Sequence, residues 1–294
     1  MGSVAIAAGF MGVLGILLAV MLAIASKRFF VYEDPRIDEV ENLLPKSNCG
    51  ACGTAGCRNF AEKVVAGEIL PAQCTVNAPP QNQVIADLLG VAAGKVEKRV
   101  ARLACGGGRH VAFMRAHYAG LKSCRAADAV GGGGKECAWG CLGLGDCEVV
   151  CNFKAITLNR HGLPVVDADL CTACGDCVDV CPKHLFSLHA VSHKLWIACK
   201  NHADGDLAEV SCEVACTACG KCTVDAAPEL IRLDNNLAVI DYDRNDSAAK
   251  DAINRCPTGA IVWFVDPNRA IKGVSAKKIL RQNALPGPEA ATSI

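Results

Sequence analysis

An excess of charge of either sign is missing from this sequence. Its 30 lysine and arginine residues are balanced by 30 aspartate and glutamate residues, so the formal net charge is zero. Without a basic excess, the composition does not indicate a nucleic-acid partner. The 294 residues are enough for two or three small domains.

Motifs for nucleotide binding and for acid–base catalysis are missing as well. The stretch AVGGGGKE lacks the first glycine of a phosphate-binding loop, and Glu136 stands where that motif needs Ser or Thr. No G-x-G-x-x-G follows a clear strand, and no Ser/His/Asp pattern is present. We interpret the seven scattered histidines as surface or structural residues. The sequence therefore predicts no catalytic residue of its own.

Charged residues are absent from the first 26 positions. The run from Val4 to Ala25 is apolar and long enough to cross a bilayer as a helix. A cleavable signal would carry basic residues before a shorter apolar run, whereas here Lys27 and Arg28 follow it. Positive charge marks the cytoplasmic flank, so we expect a single membrane anchor with everything after it inside. The alternative is a buried helix of a soluble protein.

Cysteine, by contrast, is abundant, with 20 residues. Many of them form C-x-x-C runs, which favour metal binding in a reducing compartment over disulfides. The stretch CTACGDCVDVCP has the C-x2-C-x2-C-x3-C-P spacing of bacterial ferredoxins, in which three thiolates hold one [4Fe-4S] cube and the fourth ligates a second cube. A partner run must therefore supply another thiolate.

The partner run is CAWGCLGLGDCEVVC, where the spacing departs from the ferredoxin pattern and Leu144 takes the place of the middle cysteine. We expect its first cysteine to substitute for the missing one. This assigns one cube to Cys137, Cys141, Cys147 and Cys181, and another to Cys171, Cys174, Cys177 and Cys151.

A second run, CTACGKCTVDAAPEL, has Ala226 in place of the fourth cysteine. Its partner would end at Cys256-Pro257, and the same spacing counted backwards falls on Asp246, Ala249 and Ala252. One cube site is therefore lost. The complementary set survives and consists of Cys216, Cys219, Cys222 and Cys256.

The N-terminal cysteines match no ferredoxin run but supply a further four thiolates: Cys49, Cys52, Cys57 and Cys74. The sequence thus predicts about four [4Fe-4S] clusters. Four cysteines are left over, either as buried free thiols or as a further metal site: Cys105, Cys124, Cys199 and Cys212. Paired C-x-x-C units could also bind zinc, although the spacing and the following proline fit cubes better.

The remaining patterns indicate an α+β fold. We expect helices at 57–67 and 82–103, hairpins turning near His161-Gly162 and at Asn235-Asn236, and a poorly ordered tail. The expected organisation is a membrane anchor (1–27), a helical four-cysteine cluster domain (32–93), a glycine-rich connecting region (94–135), a two-cluster ferredoxin-like domain (136–190), a ferredoxin-like domain with one cluster lost (191–265) and a tail (266–294).

The anchor, the CGACGTAGC group with its following cysteine, and the ferredoxin runs together resemble the B subunit of the Rnf ion-translocating oxidoreductase complex in its long form. The resemblance covers residues 1 to about 265. It implies an electron-transfer subunit of the bacterial or archaeal cytoplasmic membrane. Such a subunit accepts electrons from soluble ferredoxin and passes them to other membrane subunits, in a complex that couples ferredoxin:NAD oxidoreduction to Na⁺ or H⁺ transport. A membrane-anchored redox sensor or cluster scaffold is the alternative.

Overall fold

The first helix, α1, spans Gly2–Arg28 and has Lys27 and Arg28 in its last turn. The computed structural model describes residues 2–29 and 33–285. Within α1, Ile6–Arg28 has a mean hydropathy of 2.5 and is long and apolar enough to cross a membrane, and none of it is buried against the rest of the protein. A core helix of a soluble protein would be mostly buried, so the exposure favours the membrane anchor.

Three helices form the next unit: α2 (Pro35–Leu43), α3 (Cys57–Val65) and α4 (Pro79–Leu89). The carboxylate of Asp34 accepts a hydrogen bond from the Arg36 amide at 2.9 Å and so caps the start of α2. The three helices bury Val40, Phe60 and Ile85 between them. The helix expected at 57–67 is confirmed, to within two residues of its end.

The helix expected at 82–103 is wrong in its second half. α4 ends where Gly90 takes a left-handed conformation with φ 67°. Residues Arg99–Leu103 then form strand β1, which pairs antiparallel with Phe186–Ala190 (β4). The partner strand lies far along the chain, so local periodicity could not reveal it.

Both predicted hairpins are confirmed. Strand β2 (Ile156–Leu158) pairs with β3 (Pro164–Val166), and β6 (Ile231–Asp234) pairs with β7 (Leu237–Ile240). Asn235 and Asn236 join the second pair with φ of 46° and 59°. Asparagine tolerates these positive values better than most residues, which explains the two-residue turn.

Short helices occupy the loops between these strands: α5 (Cys124–Ala129), α6 (Asp146–Val149), α7 (Asp176–Val180), α8 (Gly205–Ser211) and α9 (Lys221–Asp225). A three-stranded sheet is formed by β5 (Leu195–Ile197), β8 (Ile261–Asp266) and β9 (Arg269–Lys272) in that order. Helices and strands are thus mixed along the chain, and the α+β class is confirmed.

The tail is more ordered than expected, because β9 adds to the sheet edge beside β8. Further along, the guanidinium of Arg281 donates to Glu213 at 2.8 Å and to the His110 carbonyl at 3.0 Å. Both partners of Arg281 lie far from it in the sequence, so the sequence pattern could not predict these hydrogen bonds. Residues 286–294, the end of the expected tail, lie outside the described residues.

Candidate metal centres

The N-terminal cysteines converge on one recess. It has a volume of about 300 Å³, counting the open space at its mouth, and its lining includes all four predicted thiols: Cys49, Cys52, Cys57 and Cys74. Asn48 orients the loop, because its side-chain oxygen accepts a hydrogen bond from the Cys57 amide at 2.8 Å where α3 begins. The Thr54 hydroxyl lies 3.1 Å from the sulfur of Cys52.

The cysteines of the last run converge on a second recess, of about 370 Å³ by the same measure. Its lining includes Cys216, Cys219, Cys222 and Cys256. Burial, followed by the neighbouring Cys216 and Cys256 thiols, raises the pKa of Cys222 to about 12. The residue Cys219 is exposed, which places one side of this recess at the protein surface.

Four alanine or aspartate positions were expected to mark a lost cube in this domain. Ala226 packs against the largest core cluster, and Ala252 is fully buried in it. Asp246 and Ala249 are exposed. Side chains therefore fill the inner half of this region, and its outer half faces solvent.

A third group forms around Cys177. Cys151 and Cys171 pack against Cys177 in one core cluster. Burial, and then the Cys171, Cys174 and Cys151 thiols, raise the pKa of Cys177 to about 12. Backbone amides point at two of the sulfurs. Ala101 donates to Cys171 at 3.5 Å and Ala155 donates to Cys151 at 3.3 Å. Cys151 thus lies beside the thiols to which the sequence assigns it, and its role as their fourth ligand stays a prediction.

A fourth group differs from expectation in one member. Burial, and then Cys124 and Cys181, raise the pKa of Cys147 to about 12. The pKa of Cys141 is also raised to about 12, by burial, then by Cys105 and more weakly by Cys124. Cys137, which the sequence assigns to this group, lines another recess instead. The structure therefore brings Cys124 rather than Cys137 to Cys141, Cys147 and Cys181.

The reason for this exchange is a carboxylate next to Cys147. Asp146 accepts hydrogen bonds from the backbone amides of Cys124 at 2.9 Å and Arg125 at 3.1 Å, and from the Ser123 hydroxyl at 3.0 Å. These bonds fix the start of α5, and with it Cys124, beside α6. Cys124 belongs to no closely spaced run, so its spacing carried no signal of this position.

The last recess collects three of the four cysteines that were left over. It measures about 320 Å³, again with its open space, and its lining includes Cys105, Cys137, Cys199 and Cys212. The three recesses account for twelve of the 20 cysteines, and the other eight are those described around Cys177 and Cys147.

A glycine with positive φ precedes three of the short helices. Gly145, Gly175 and Gly220 have φ of 90°, 97° and 72°, and each lies two residues before the third cysteine of its run. Such values strain other residues, so glycine lets the chain turn sharply from the cysteine loop into the helix. This turn directs the thiols of one loop towards a common centre.

Each group offers four thiols, which is the donor set of a [4Fe-4S] cube. Among residues 2–29 and 33–285, no group of three or more His, Cys, Asp or Glu side chains converges tightly enough to hold one metal ion. A tetrahedral zinc site needs four ligands about 2.3 Å from one centre. A cube presents four separate irons, so its thiolates stand further apart.

Comparisons with known proteins agree with this chemistry. Residues 44–76 match a family described as a putative Fe-S cluster, and residues 163–186 match a 4Fe-4S binding domain. These two segments contain the N-terminal group and the whole central ferredoxin run, so the prediction of several [4Fe-4S] clusters is confirmed.

Three relatives match nearly the whole chain, and each is the B subunit of an oxidoreductase complex. The one from the Na⁺-translocating ferredoxin:NAD⁺ oxidoreductase complex of Acetobacterium woodii is 37% identical over 90% of this chain and 80% of its own length. A proton-translocating counterpart from Clostridium ljungdahlii is 37% identical over 87% of this chain and 90% of its own. The one from the ion-translocating oxidoreductase complex of Methanosarcina acetivorans is 36% identical over 88% of this chain and 96% of its own length. The chain, with its N-terminal apolar helix and its groups of four thiols, therefore belongs to the family of B subunits of the Rnf ion-translocating oxidoreductase complexes.

Proposed function

We propose that this chain relays electrons from reduced ferredoxin to membrane partners, within a complex that couples ferredoxin:NAD oxidoreduction to the transport of Na⁺ or H⁺. The observation that carries the proposal is the contiguity of the thiol groups. The Thr75 hydroxyl, next to Cys74, donates to the carbonyl of Thr172, next to Cys171, at 2.8 Å. Cys147 and Cys177 pack in one core cluster. Three groups thus adjoin one another from the N-terminal unit inwards.

The proposed ligands follow the groups. They are Cys49, Cys52, Cys57 and Cys74 for one cluster, Cys151, Cys171, Cys174 and Cys177 for a second, Cys141, Cys147 and Cys181 with Cys124 for a third, and Cys216, Cys219, Cys222 and Cys256 for a fourth. When bound, a [4Fe-4S] cluster supplies one-electron redox chemistry. The protein contributes position, burial and hydrogen bonds to sulfur, as at Cys151 and Cys171.

The last domain is our candidate for the surface that receives electrons. Cys219 is exposed, whereas the other nineteen cysteines are buried or half-buried. A soluble donor needs a cluster near the surface, and Cys219 belongs to the group furthest along the chain from α1. We expect ferredoxin to dock over this residue, with charge steering at most a small part of the encounter because the net charge is zero.

The apolar helix α1 supports the location of this chain at a membrane. We propose that α1 crosses the cytoplasmic membrane once and that Lys27 and Arg28 hold the redox domains on the cytoplasmic side. Among the described residues, one helix is long and apolar enough to span. We therefore assign the ion pathway to other subunits of the complex.

The test is electron transfer to the full chain in detergent. Chemically reduced ferredoxin from a bacterial source is mixed anaerobically with the oxidised chain, and the rapid-freeze electron paramagnetic resonance (EPR) spectrum is recorded. We expect reduced-cluster signals within the mixing time, and slower reduction in Cys219→Ala. A Val224→Ala variant alters a nearby exposed side chain without removing a thiol and should behave like the wild type.

Two outcomes would contradict the relay. One is a chain that ferredoxin does not reduce although dithionite does. The other is release of whole clusters to an apo-ferredoxin acceptor faster than electron transfer, which would identify a cluster scaffold.

A further inference from the structure

We propose that Cys105, Cys137, Cys199 and Cys212 hold a fifth [4Fe-4S] cluster. The proposal concerns a binding site and stands whether or not ferredoxin is the electron donor. Four different parts of the chain supply the thiols. Cys105 follows β1, Cys137 lies in the loop before α6, Cys199 follows β5 and Cys212 directly follows α8.

The volume of this recess is similar to the volumes of the two other recesses that four cysteines line. Its volume of about 320 Å³ lies between those of the N-terminal recess, about 300 Å³, and the recess of the last run, about 370 Å³. Cys137, Cys199 and Cys212 are buried, and Cys105 is half-buried. The site thus offers four thiols and a volume similar to that of the other recesses. Its cysteines do not follow the spacing of a ferredoxin run.

Glycine keeps the centre of the recess free. A Cβ atom at Gly107 would lie 3.0 Å from the sulfur of Cys212 and 3.7 Å from that of Cys105. A side chain at this position would therefore fill the space between the two sulfurs. The glycines of the CGGG stretch that begins at Cys105 would therefore let the backbone come close to a bound group.

Backbone amides donate to the sulfurs of this recess, as they do in the groups already described. Cys105 accepts a hydrogen bond from the amide of Cys141 at 3.4 Å. Cys199 accepts two, from Asn201 at 3.4 Å and from Cys216 at 3.3 Å. Such bonds stabilise thiolate charge and tune the potential of a cluster.

A buried cation lies at the wall of the recess. Lys135 is 7% exposed, and its ammonium donates to the carbonyls of Gly107 and Cys141, both at 2.6 Å. Across the described residues, no carboxylate lies within ion-pair distance of this ammonium. A buried positive charge is costly unless a negative charge offsets it, and four thiolates around a cube supply one.

The recess lies between two of the proposed cluster sites. On one side Cys105 accepts from Cys141, and on the other side Cys199 accepts from Cys216. An occupied recess would join the last domain to the central groups and complete a row of five centres. An empty recess would interrupt the row at this point.

The experiment is a measurement of iron and acid-labile sulfide in the full chain, purified anaerobically in detergent. The proposal expects about twenty irons, four per cube. Replacing any one ligand of this site with alanine should remove about four of them. The double variant Cys137→Ala/Cys199→Ala should lose no more than either single variant, because both residues hold the same cluster.

The matched control is Val210→Ala, which shortens an exposed side chain on α8 close to Cys212 and leaves every thiol and the lining of the recess in place. It should retain the full iron content. EPR signals of the other clusters, recorded after dithionite reduction, check that each cysteine variant is still folded. The iron content of Cys105→Ala and Cys212→Ala is measured as well, because these ligands come from other parts of the fold. The result then does not depend on a single variant that fails to fold.

The proposal is overturned if the wild type holds about sixteen irons and Cys199→Ala holds the same number. It is also overturned if the wild type carries one equivalent of zinc that Cys199→Ala loses. A double variant that loses about eight irons, with each single variant losing four, would assign the two cysteines to different clusters and overturn it as well.

Discussion

The backbone amide of Cys216 donates a hydrogen bond to the sulfur of Cys199, with 3.3 Å between nitrogen and sulfur. Cys216 belongs to the last ferredoxin run, whereas Cys199 lines the recess of the proposed fifth cluster. One peptide unit therefore lies between two candidate centres. A change of charge at either centre acts directly on the other through this contact, so their redox potentials should be coupled.

Asp146 should control the cluster held by Cys141, Cys147 and Cys181. In Asp146→Ala the amides of Cys124 and Arg125 lose their acceptor, and the start of α5 is released. We expect the loss of about four irons, measured by iron content and EPR. Asp206→Ala, an exposed change on α8, is the control and should keep full iron. An unchanged iron content in Asp146→Ala would show that Asp146 is not needed for this cluster to form.

Cys256 should be the fourth ligand of the last run. Cys256→Ala should abolish the EPR signal of the cluster held by Cys216, Cys219 and Cys222, because three thiolates hold a cube poorly against water. Cys212→Ala should leave that signal present, since Cys212 lines a different recess. The reverse pattern, with Cys212→Ala abolishing the signal and Cys256→Ala sparing it, would show that the pairing is wrong.

Arg102 should stabilise the contact between the central region and the last sheet. Its guanidinium lies 3.5 Å from the centre of the Phe264 ring, and Nη1 donates to the Pro267 carbonyl at 2.8 Å. We expect Arg102→Ala to cost roughly 2–3 kcal/mol, because both the cation–π contact and the buried hydrogen bond are lost. The midpoint of anaerobic thermal unfolding should fall by several degrees.

The control for Arg102 is Arg99→Ala on the same strand, where the side chain is exposed. Its effect on the unfolding midpoint should be small. Equal midpoints for the two variants would mean that the contact with Phe264 adds nothing to stability.

His189 should make the fold sensitive to acid. Burial, and then the charges of His193, Arg102 and Arg99, lower the pKa of His189 to about 4. The unfolded chain, with a histidine pKa near 6.5, takes up the proton first. Stability is therefore complete above about pH 6.5 and falls progressively between 6.5 and 4.

The measurement for His189 is the free energy of unfolding at pH 7.5 and pH 5.0. His189→Gln should lose less stability over this interval than the wild type, by on the order of 1–2 kcal/mol. Loss of clusters in acid affects both chains alike and cancels in the difference. A steeper fall in the variant would show that His189 is protonated in the folded protein.

Lys27 and Arg28 should set the orientation of the anchor. A reporter that is active only outside the cytoplasm, fused after Ile294, should be silent. The same reporter fused before Met1 should be active. Activity of the C-terminal fusion would place the redox domains on the opposite side of the membrane.

The sequence alone determined the features that depend on local spacing. The apolar run before Lys27 predicts the anchor because a helix needs only length and hydropathy to cross a bilayer. The two hairpins follow from alternating strands around Gly162 and around Asn235-Asn236. The groups within Cys49–Cys57, Cys171–Cys177 and Cys216–Cys222 follow from loops that are too short to carry their thiols far apart.

Tertiary structure decided what connects distant segments. β1 was mistaken for helix because its partner β4 lies far along the chain and its stability comes from that pairing. Cys124 joins Cys147 through the carboxylate of Asp146, and Cys137 moves to a recess that is assembled from four separate elements. No spacing rule brings those thiols together, because their convergence results from packing between elements, which only the folded chain establishes.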